Sequence, residues 1–289
     1  MSAEFVTVTA AESGLKLVRF LERRVGGHVP RSAVMRWIRK GNVRVDKGRC
    51  KPFDLVREGQ VVRIPPYESQ EETFLKLPAL PILYEDDDYL AVCKPAGLPS
   101  QGGTGHTDSV AARLASMFAD SPYRPAPAHR LDRDTSGVLL AGKSHSGQKN
   151  LSEFFADHAA VGKYYLAKVK GKWPHEETVE LEDLLEKSGS DGHEKIHAGA
   201  GKIALCSVSP VKVEAGTSIL AVKLHTGRTH QIRVQLSSRG FPVLGDAKYG
   251  GGKGAMKLHC CRIETPWFTA ECLPEWFGDA SCRINSFLA

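Results

Sequence analysis

Two segments near the start of the chain carry apolar residues at helical spacing. Residues 15–25 (LKLVRFLERRV) place leucine and valine on one face, and Gly26-Gly27 is expected to end this helix. Residues 31–40 (RSAVMRWIRK) repeat the pattern before Gly41, a residue type that caps helix C-termini. The alternating stretches VRVD and VVRIPP then predict two short strands. The pattern therefore indicates a compact helix–helix–strand unit of about 50 residues.

A polar, proline-bracketed stretch follows this unit. Residues 66–81 (PYESQEETFLKLPALP) predict an extended tether. Beyond it, alternating apolar segments separated by Gly, Pro and charged turns predict strands: DYLAVCKPAG, SGVLLAGKS, KYYLAKVKG, SILAVKLHTG and HQIRVQLSS. Helices are predicted near residues 109–119 and 147–158. The second unit is therefore expected to be α+β with a largely antiparallel, mixed sheet and flanking helices.

Charge is distributed unevenly between the two units. The 289-residue chain has a net charge of +6, whereas residues 15–65 hold 14 Lys and Arg against 4 Asp and Glu, a local charge of +10. A basic module on a body of about −4 indicates a polyanion-binding appendage, although a basic domain without that role remains open. Its candidate phosphate contacts are Arg31, Arg36, Arg39, Lys40 and Arg44.

Composition narrows the class of protein. With 42% hydrophobic residues the chain can bury a large core, and no segment predicts a secretion signal or membrane span, so we expect a cytoplasmic protein. The 7 cysteines include no C-x-x-C pair, and adjacent Cys260-Cys261 does not have the spacing of a metal knuckle. Reduced core thiols and no metal are therefore expected.

The densest chemical pattern is residues 129–137 (HRLDRDTSG), in which two carboxylates lie among two arginines just before an apolar strand. A carboxylate beside arginine stays ionised at neutral pH and suits a nucleophile or a base. A surface turn held by ion pairs accounts for the same pattern equally well. Chemistry alone leaves both interpretations open.

This nine-residue string resembles the motif that identifies the RluA family of pseudouridine synthases. Other segments agree in order, namely ILYEDDDYLAVCKPAGLP, KYYLAKVKG and LHTGRTHQIRVQL, so the resemblance spans residues 81–265. The first unit resembles the S4 RNA-binding domain, and the combination is most similar to the large-subunit ribosomal RNA branch of the family. The resemblance implies a pseudouridine-synthase fold with a small α/β S4 domain. Its implied organisation is an N-terminal segment 1–14, an S4 domain 15–66, a linker 67–80 and a catalytic domain 81–289.

The resemblance assigns roles by position. Asp132 matches the catalytic aspartate, Tyr165 the active-site tyrosine and Arg233 the arginine that pairs with the aspartate. Arg130 matches an arginine that inserts into RNA where the target base has left. Further contacts to substrate or RNA are expected from Arg228, Thr229, His230, Gln231 and Ile232, the last in either the pocket or the core.

The implied reaction breaks the N1–C1′ bond of uridine, turns the uracil and rejoins it through C5. Asp132 either forms an ester with C1′ or removes the C2′ proton, and the sequence does not separate these routes. No cofactor is expected, because no redox change or hydrolysis occurs. The expected partner is 23S ribosomal RNA or a large-subunit assembly intermediate, bound by a monomer away from membranes.

Some positions depart from the family pattern. Val18 replaces a common acidic residue, Ser100-Gln101-Gly102-Gly103 replaces V-H-G-G, Cys206 stands for Thr, and Pro210 interrupts a strand pattern. Two rival hypotheses remain. An aspartyl-phosphate phosphatase is suggested by the D-x-D-x-T-like string, although Ser136 occupies the place of its threonine. A non-catalytic RNA-binding protein is the other.

Overall fold

The computed structural model of the chain describes residues 3–25, 29, 31–67, 77–102, 108–156, 162–188, 195–199 and 201–278. Five predicted features fall partly or wholly outside these residues: the Gly26-Gly27 helix end, the central part of the tether, Gly103 of the departure at residues 100–103, the end of the helix predicted near residues 147–158, and the last part of the chain.

The described residues of the N-terminal unit form two α-helices and a three-stranded antiparallel sheet. Its elements are β1 (Glu4–Thr7), α1 (Leu17–Val25), α2 (Arg31–Lys40), β2 (Arg44–Val45) and β3 (Val61–Ile64). The strand order is β1-β3-β2. Both predicted helices and both predicted strands are present. Strand β1 lies in segment 1–14, where the apolar pattern predicts no element, and it completes the sheet.

Helix α1 packs its apolar face into the core of this unit. Leu17, Phe20 and Leu21 are completely buried. Val18, the residue that replaces an acidic one in the family pattern, is also buried in this core, where an unpaired carboxylate would be costly. Helix α2 adds Val34 and leaves its basic face in solvent.

In its described residues, the second unit is built on one large sheet with three α-helices. Its strands are β4 (Ile82–Glu85), β5 (Tyr89–Lys94), β6 (Ala126–Pro127), β7 (Ser136–Gly142), β8 (Gly162–Lys170), β9 (Val179–Ser188), β10 (Lys195–Ala198), β11 (Lys202–Val213), β12 (Thr217–Leu224), β13 (Leu258–Glu264) and β14 (Thr269–Glu271). Its helices are α3 (Val110–Met117), α4 (His145–Ala156) and α5 (Gln231–Ser238).

The strand order in this sheet is β10-β9-β11-β12-β8-β13-β7-β5-β4, with β14 beside β13 and β6 beside β7. Strands β7 and β13 are parallel, and the other pairs are antiparallel. Strand β13, late in the sequence, therefore lies between β7 and β8. The α+β fold with a largely antiparallel mixed sheet is confirmed.

Helix α5 corrects one prediction, because the segment HQIRVQLSS was expected to be a strand. Its apolar residues alternate with polar ones, as in a half-buried strand, but both sets are buried here: Gln231, Ile232, Arg233, Val234, Gln235 and Leu236. The polar side chains are satisfied inside the protein. Gln235, for example, donates to the carbonyl oxygens of Leu181 and Ala204 at 3.0 and 3.1 Å. The alternation thus reflects buried polar contacts and not a solvent-facing side of a sheet.

Two smaller predictions have different outcomes. Cys206 is buried, as expected. Pro210 does not end its strand, because β11 runs through it with a register irregularity between Pro210 and Lys212. A bulge accommodates the missing N–H of proline within a sheet. The six described cysteines are free thiols.

The two units touch each other through α1. The guanidinium of Arg23 lies 3.8 Å from the ring centroid of Tyr123 and donates to the carbonyl oxygen of Arg124 at 2.5 Å. Tyr123, which precedes β6, is buried in the core of the N-terminal unit. Stacking of arginine on an aromatic ring, largely shielded from water, stabilises this contact. In the part of the chain that is described, no helix has the length and apolar character of a membrane span.

Candidate active site

Residues 129–135 of the HRLDRDTSG segment lie in the loop between β6 and β7, and its last two residues begin β7. Buried groups fix the shape of this loop. The Lys94 ammonium, completely buried at the end of β5, donates to the carbonyl oxygens of Pro95, Leu98 and Arg133 at 3.0, 2.7 and 2.9 Å. Burial lowers the pKa of Lys94 to about 8, opposed by the charges of Asp134 and Asp132. All donors of this ammonium are therefore used to hold backbone.

Ser100, one of the departures from the family pattern, braces the same loop. Its buried hydroxyl donates to the carbonyl oxygen of Leu131 at 2.8 Å and accepts the N–H of Leu131 at 3.0 Å. The residue directly before Asp132 is thus held at both backbone groups. A hydroxyl at this position contributes to loop geometry, a role that differs from an RNA contact.

The two ends of the loop are equally constrained. His129 accepts the N–H of Leu140 at Nε2 over 3.0 Å, and burial lowers its pKa to about 3, so the ring is neutral. Gly137 has φ +114°, and a Cβ there would lie 2.1 Å from the carbonyl oxygen of Cys260. A glycine is required at this position, at the start of β7, because a side chain there would overlap the backbone of β13.

Asp132 projects from this loop toward helix α5. Its Oδ2 accepts a hydrogen bond from Nη1 of Arg233 at 2.9 Å. The other side of the Arg233 guanidinium is held by Asp246, with Nε–Oδ2 and Nη2–Oδ1 distances of 2.7 and 3.0 Å. The side chain of Asp132 is 24% exposed, that of Arg233 is 8% exposed and that of Asp246 is 1% exposed. Asp246 thus orients the guanidinium, which in turn orients Asp132.

Electrostatics keep this arginine charged. Burial alone would lower the pKa of Arg233, but hydrogen bonds and charge interactions with Asp246 and Asp132 outweigh it and raise the pKa. Asp246 in turn accepts the backbone N–H groups of Lys248 and Tyr249 at 3.1 and 3.2 Å. The buried pair is therefore fully hydrogen-bonded, as such pairs need to be.

Tyr165 lies on β8 with its side chain buried against the site. Burial, then the neighbouring Cys260 thiol and the charge of Asp132, raise the pKa of Tyr165 well above 10. The phenol is therefore neutral and presents an aromatic ring with a protonated hydroxyl.

Two cavities meet at Asp132. The larger, about 820 Å³, is lined by Arg133, Asp134 and Lys248 among others. The smaller, about 310 Å³, contains every side chain predicted from sequence for catalysis or substrate contact: Arg130, Asp132, Tyr165, Arg228, Thr229, His230, Gln231, Ile232 and Arg233. Arg130, Asp132, His230 and Arg233 border both cavities. Residues from distant parts of the sequence thus converge on one carboxylate.

The side chains that line the smaller cavity differ in whether their polar groups are free to bind a substrate. Arg130 and Thr229 are exposed. Arg228 donates to the carbonyl oxygen of Ile203 at 2.9 Å. Gln231 is 3% exposed, and its amide is used within the protein by Thr226, Arg228 and Leu205. Gln231 therefore shapes the loop before α5. Ile232 both lines the pocket and belongs to the core.

The alternative of a surface ion-pair turn describes Asp134 and not Asp132. Arg133 and Asp134 pair at 3.1 Å with side chains 59% and 46% exposed. The two carboxylates of the loop therefore have different arginine partners. The loop also precedes the apolar strand β7, whereas the phosphatase motif requires such a strand before its first aspartate.

The predicted phosphate contacts of the N-terminal unit lie on or near α2. Arg36, Arg39 and Lys40 are exposed, and Arg44 is half-buried. Arg31 forms an ion pair with Glu22 at 2.5 Å. The first three thus offer the more accessible charge.

Sequence reasoning missed Lys94, Asp246 and Tyr249 as members of the site. Lys94 lies in the segment ILYEDDDYLAVCKPAGLP, which resembles the family but does not by itself indicate a role for this lysine. Asp246 and Tyr249 lie in the stretch GDAKYG, where a carboxylate between glycines was an available signal. Their contacts with Arg233 and His230 depend on the fold, which brings β13 and its preceding loop beside α5.

Comparisons with known proteins show the family to which the chain belongs. Residues 88–238 match the family model described as RNA pseudouridylate synthase, and residues 15–62 match that of the S4 domain. The chain is similar to ribosomal large subunit pseudouridine synthase C from Haemophilus influenzae, at 36% identity over 86% of this chain and 80% of the relative. The protein of the same name from Escherichia coli K12 shows the same identity and the same shares of both chains.

Two human structures show a similar fold. RNA pseudouridylate synthase domain containing 1 has a TM-score of 0.57 and 24% identity, covering 68% of this chain and 84% of that chain. RNA pseudouridylate synthase domain containing 4 has a TM-score of 0.56 and 22% identity, covering 71% and 93%. The family match and the 36% identity of the relatives show that the chain belongs to the RNA pseudouridylate synthase family and carries an S4 domain.

Proposed function

We propose that this chain isomerises uridines of large-subunit (23S) ribosomal RNA to pseudouridine, with Asp132 as the catalytic carboxylate. The observation that carries the proposal is the place of Asp132, held by Arg233 where two cavities meet, with Tyr165 lining one of them. The names of the relatives at 36% identity support large-subunit ribosomal RNA as the substrate class.

The smaller cavity is the proposed seat of the uracil. Tyr165, Ile232 and Leu258 supply its aromatic and aliphatic lining. A base removed from RNA structure needs such a stacking surface. Arg130 is exposed at the border of both cavities, so it is free to enter the RNA where the base has left.

Asp132 acts by one of two routes. In the ester route a carboxylate oxygen bonds to C1′ while the N1–C1′ electron pair passes to the uracil. After the base turns, C5 attacks C1′, the ester C–O bond breaks, C5 loses its proton and N1 gains one. In the glycal route Asp132 takes the C2′ proton as the N1–C1′ bond breaks and returns it on rejoining. Both routes are redox-neutral and consume no water, so neither requires a cofactor.

The S4 domain supplies a second, electrostatic contact. Arg36, Arg39 and Lys40 on α2 are exposed and are proposed to meet phosphates, with Arg44 beside them and Arg31 available once its pair with Glu22 opens. The nine residues predicted for catalysis or substrate contact line one cavity of a single chain, which supports action as a monomer. Ribosomal RNA as substrate supports a cytoplasmic location.

The test compares two asparagine variants of the same loop. Asp132→Asn removes the charge without changing shape, and pseudouridine formation on 23S RNA transcribed in vitro should stop while RNA affinity is kept. Asp134→Asn is the matched control, since that carboxylate is 46% exposed and pairs only with Arg133 among the described residues. Pseudouridine is quantified by nucleoside chromatography after digestion. Full turnover by Asp132→Asn would sink the proposal.

A further inference from the structure

His230 is held in an unusual conformation at the entrance of α5. Its φ is +54°, in the left-handed region that non-glycine residues seldom adopt. Such strain persists where the surrounding contacts require it, and it clusters at functional sites. The conformation places the imidazole between two partners, with Nδ1 2.8 Å from the Tyr249 hydroxyl and Nε2 3.7 Å from Oδ2 of Asp132.

The hydrogen bonds around Tyr249 determine which ring nitrogen carries the proton. The Tyr249 hydroxyl accepts the backbone N–H of Ile196 on β10 at 3.2 Å. In the described part of the chain, Nδ1 of His230 is the acceptor that this hydroxyl reaches. The hydroxyl therefore donates to Nδ1, which leaves the imidazole proton on Nε2, facing Asp132.

The His230 imidazole is neutral when its Nε2–H faces Asp132. Burial lowers the pKa of His230, Asp132 raises it and Arg233 lowers it, and the net direction is downward. Lys248 and Asp246 are the remaining charged groups that face the ring, with opposite effects. Tyr249 is held in place by two contacts. Its backbone N–H donates to Asp246, and its ring centroid lies 5.1 Å from the Arg233 guanidinium.

We propose that His230 is a further catalytic residue, whose neutral Nε2–H donates a hydrogen bond to the uracil as it leaves C1′, and that Tyr249 is the positioning residue that sets this tautomer. This inference rests on the proposed function. When the N1–C1′ bond breaks, its electron pair passes to the uracil and the negative charge spreads over N1 and the ring oxygens. Because Nε2 of His230 lies 3.7 Å from Oδ2 of Asp132, a uridine whose sugar faces Asp132 would bring the oxygen on the carbon next to N1 toward this donor.

No proton is transferred in this step. A neutral imidazole donor stabilises the developing anion without protonating it, so N1 and C5 stay free to exchange places. A charged imidazolium would instead pair with Asp132 and weaken the nucleophile or base. Strand β10 thereby contributes to the chemistry, because its Ile196 N–H orients the Tyr249 hydroxyl.

Kinetics test the role of His230 with variants that differ in one donor. His230→Leu should lower kcat roughly 100-fold with little change in KM, the loss typical of removing one preorganised donor. His230→Gln, whose amide N–H can occupy the place of Nε2–H, should recover most of that loss. His175→Leu is the matched control, since His175 is exposed and lies beside Trp173, outside the linings of both cavities. Equal activity of His230→Leu and wild type would overturn the proposal.

NMR tests the tautomer independently of turnover. ¹⁵N chemical shifts of the full-length protein should show His230 protonated at Nε2 and unprotonated at Nδ1. Tyr249→Phe, which keeps the ring, should shift this equilibrium toward Nδ1–H and lower kcat at unchanged melting temperature. A wild-type His230 protonated at Nδ1 would refute the positioning role of Tyr249. Failure of wild-type protein to form any pseudouridine, with Nε2–H observed, would refute the proposed function instead.

Discussion

Asp246 offers a direct measure of how much the site depends on its buried ion pair. The Asp246 side chain is 1% exposed and grips Arg233 through two hydrogen bonds of 2.7 and 3.0 Å. Asp246→Asn keeps the size of the side chain but removes its charge and turns one acceptor into a donor. Breaking a buried pair from one side costs about 3–5 kcal/mol. Because Asp132 remains as a partner of Arg233, we expect the lower end, about 3 kcal/mol.

The chain contains a matched control for this change. Asp108 also binds an arginine through two hydrogen bonds, to Arg113 at 2.9 and 2.8 Å, but its side chain is 38% exposed. Asp108→Asn should therefore cost only about 0–1 kcal/mol. Urea denaturation of both variants, followed by circular dichroism, gives the free energies of unfolding. The same samples give kcat, which should fall roughly 10- to 100-fold for Asp246→Asn because Arg233 no longer aims Asp132. Equal stability losses in the two variants would refute the reasoning.

Three further predictions concern acid stability, backbone space and RNA affinity. Because burial lowers the pKa of His129 to about 3 and of His259 to about 4, both rings gain a proton on unfolding below pH 6.5. The free energy of unfolding should therefore fall by about 1.4 kcal/mol per pH unit for each histidine as the pH drops from 6.5 toward 4. Urea titrations at several pH values should show a flatter slope for His259→Gln and an unchanged slope for the control His175→Gln. Gly137→Ala should abolish activity and lower the melting temperature, because its Cβ would lie 2.1 Å from a backbone oxygen, and an unchanged melting temperature would contradict the geometry. Arg39→Gln should reduce the salt dependence of RNA binding by about one unit of slope without altering kcat, and an unchanged slope would remove Arg39 from the RNA contact.

Local patterns predicted the elements whose polar faces meet solvent. Helices α1 and α2 follow from apolar spacing, since each has one apolar face in the core. The basic residues of α2 are exposed, whereas Arg23 of α1 packs against Tyr123. The strand predicted for the segment that forms α5 was wrong for the opposite reason. Its polar residues are enclosed by the sheet, so the usual link between polarity and exposure does not hold there.

The candidate site was predictable where a contiguous motif carried it. Asp132, Tyr165 and Arg233 were placed by family resemblance, and the fold brings all three to one cavity. Asp246 and Tyr249 act through other side chains, and their contacts with α5 arise from the loop before β13. Nothing in the spacing of a single sequence specifies such a contact, because it depends on how the strands are ordered in the sheet.

The position of β13 has a consequence for the time at which the enzyme becomes competent during synthesis. Asp132 precedes β7 and Tyr165 lies on β8, and β13 is the strand that joins these two halves of the sheet. A nascent polypeptide therefore carries two unfinished sheet edges until residues 258–264 have left the ribosome. Until then the carboxylate and the tyrosine belong to separate folding units, and their union is a late, non-local step. A protein proposed to modify ribosomal RNA would thus gain its activity only after residues 258–264 have been synthesised and have paired with both β7 and β8.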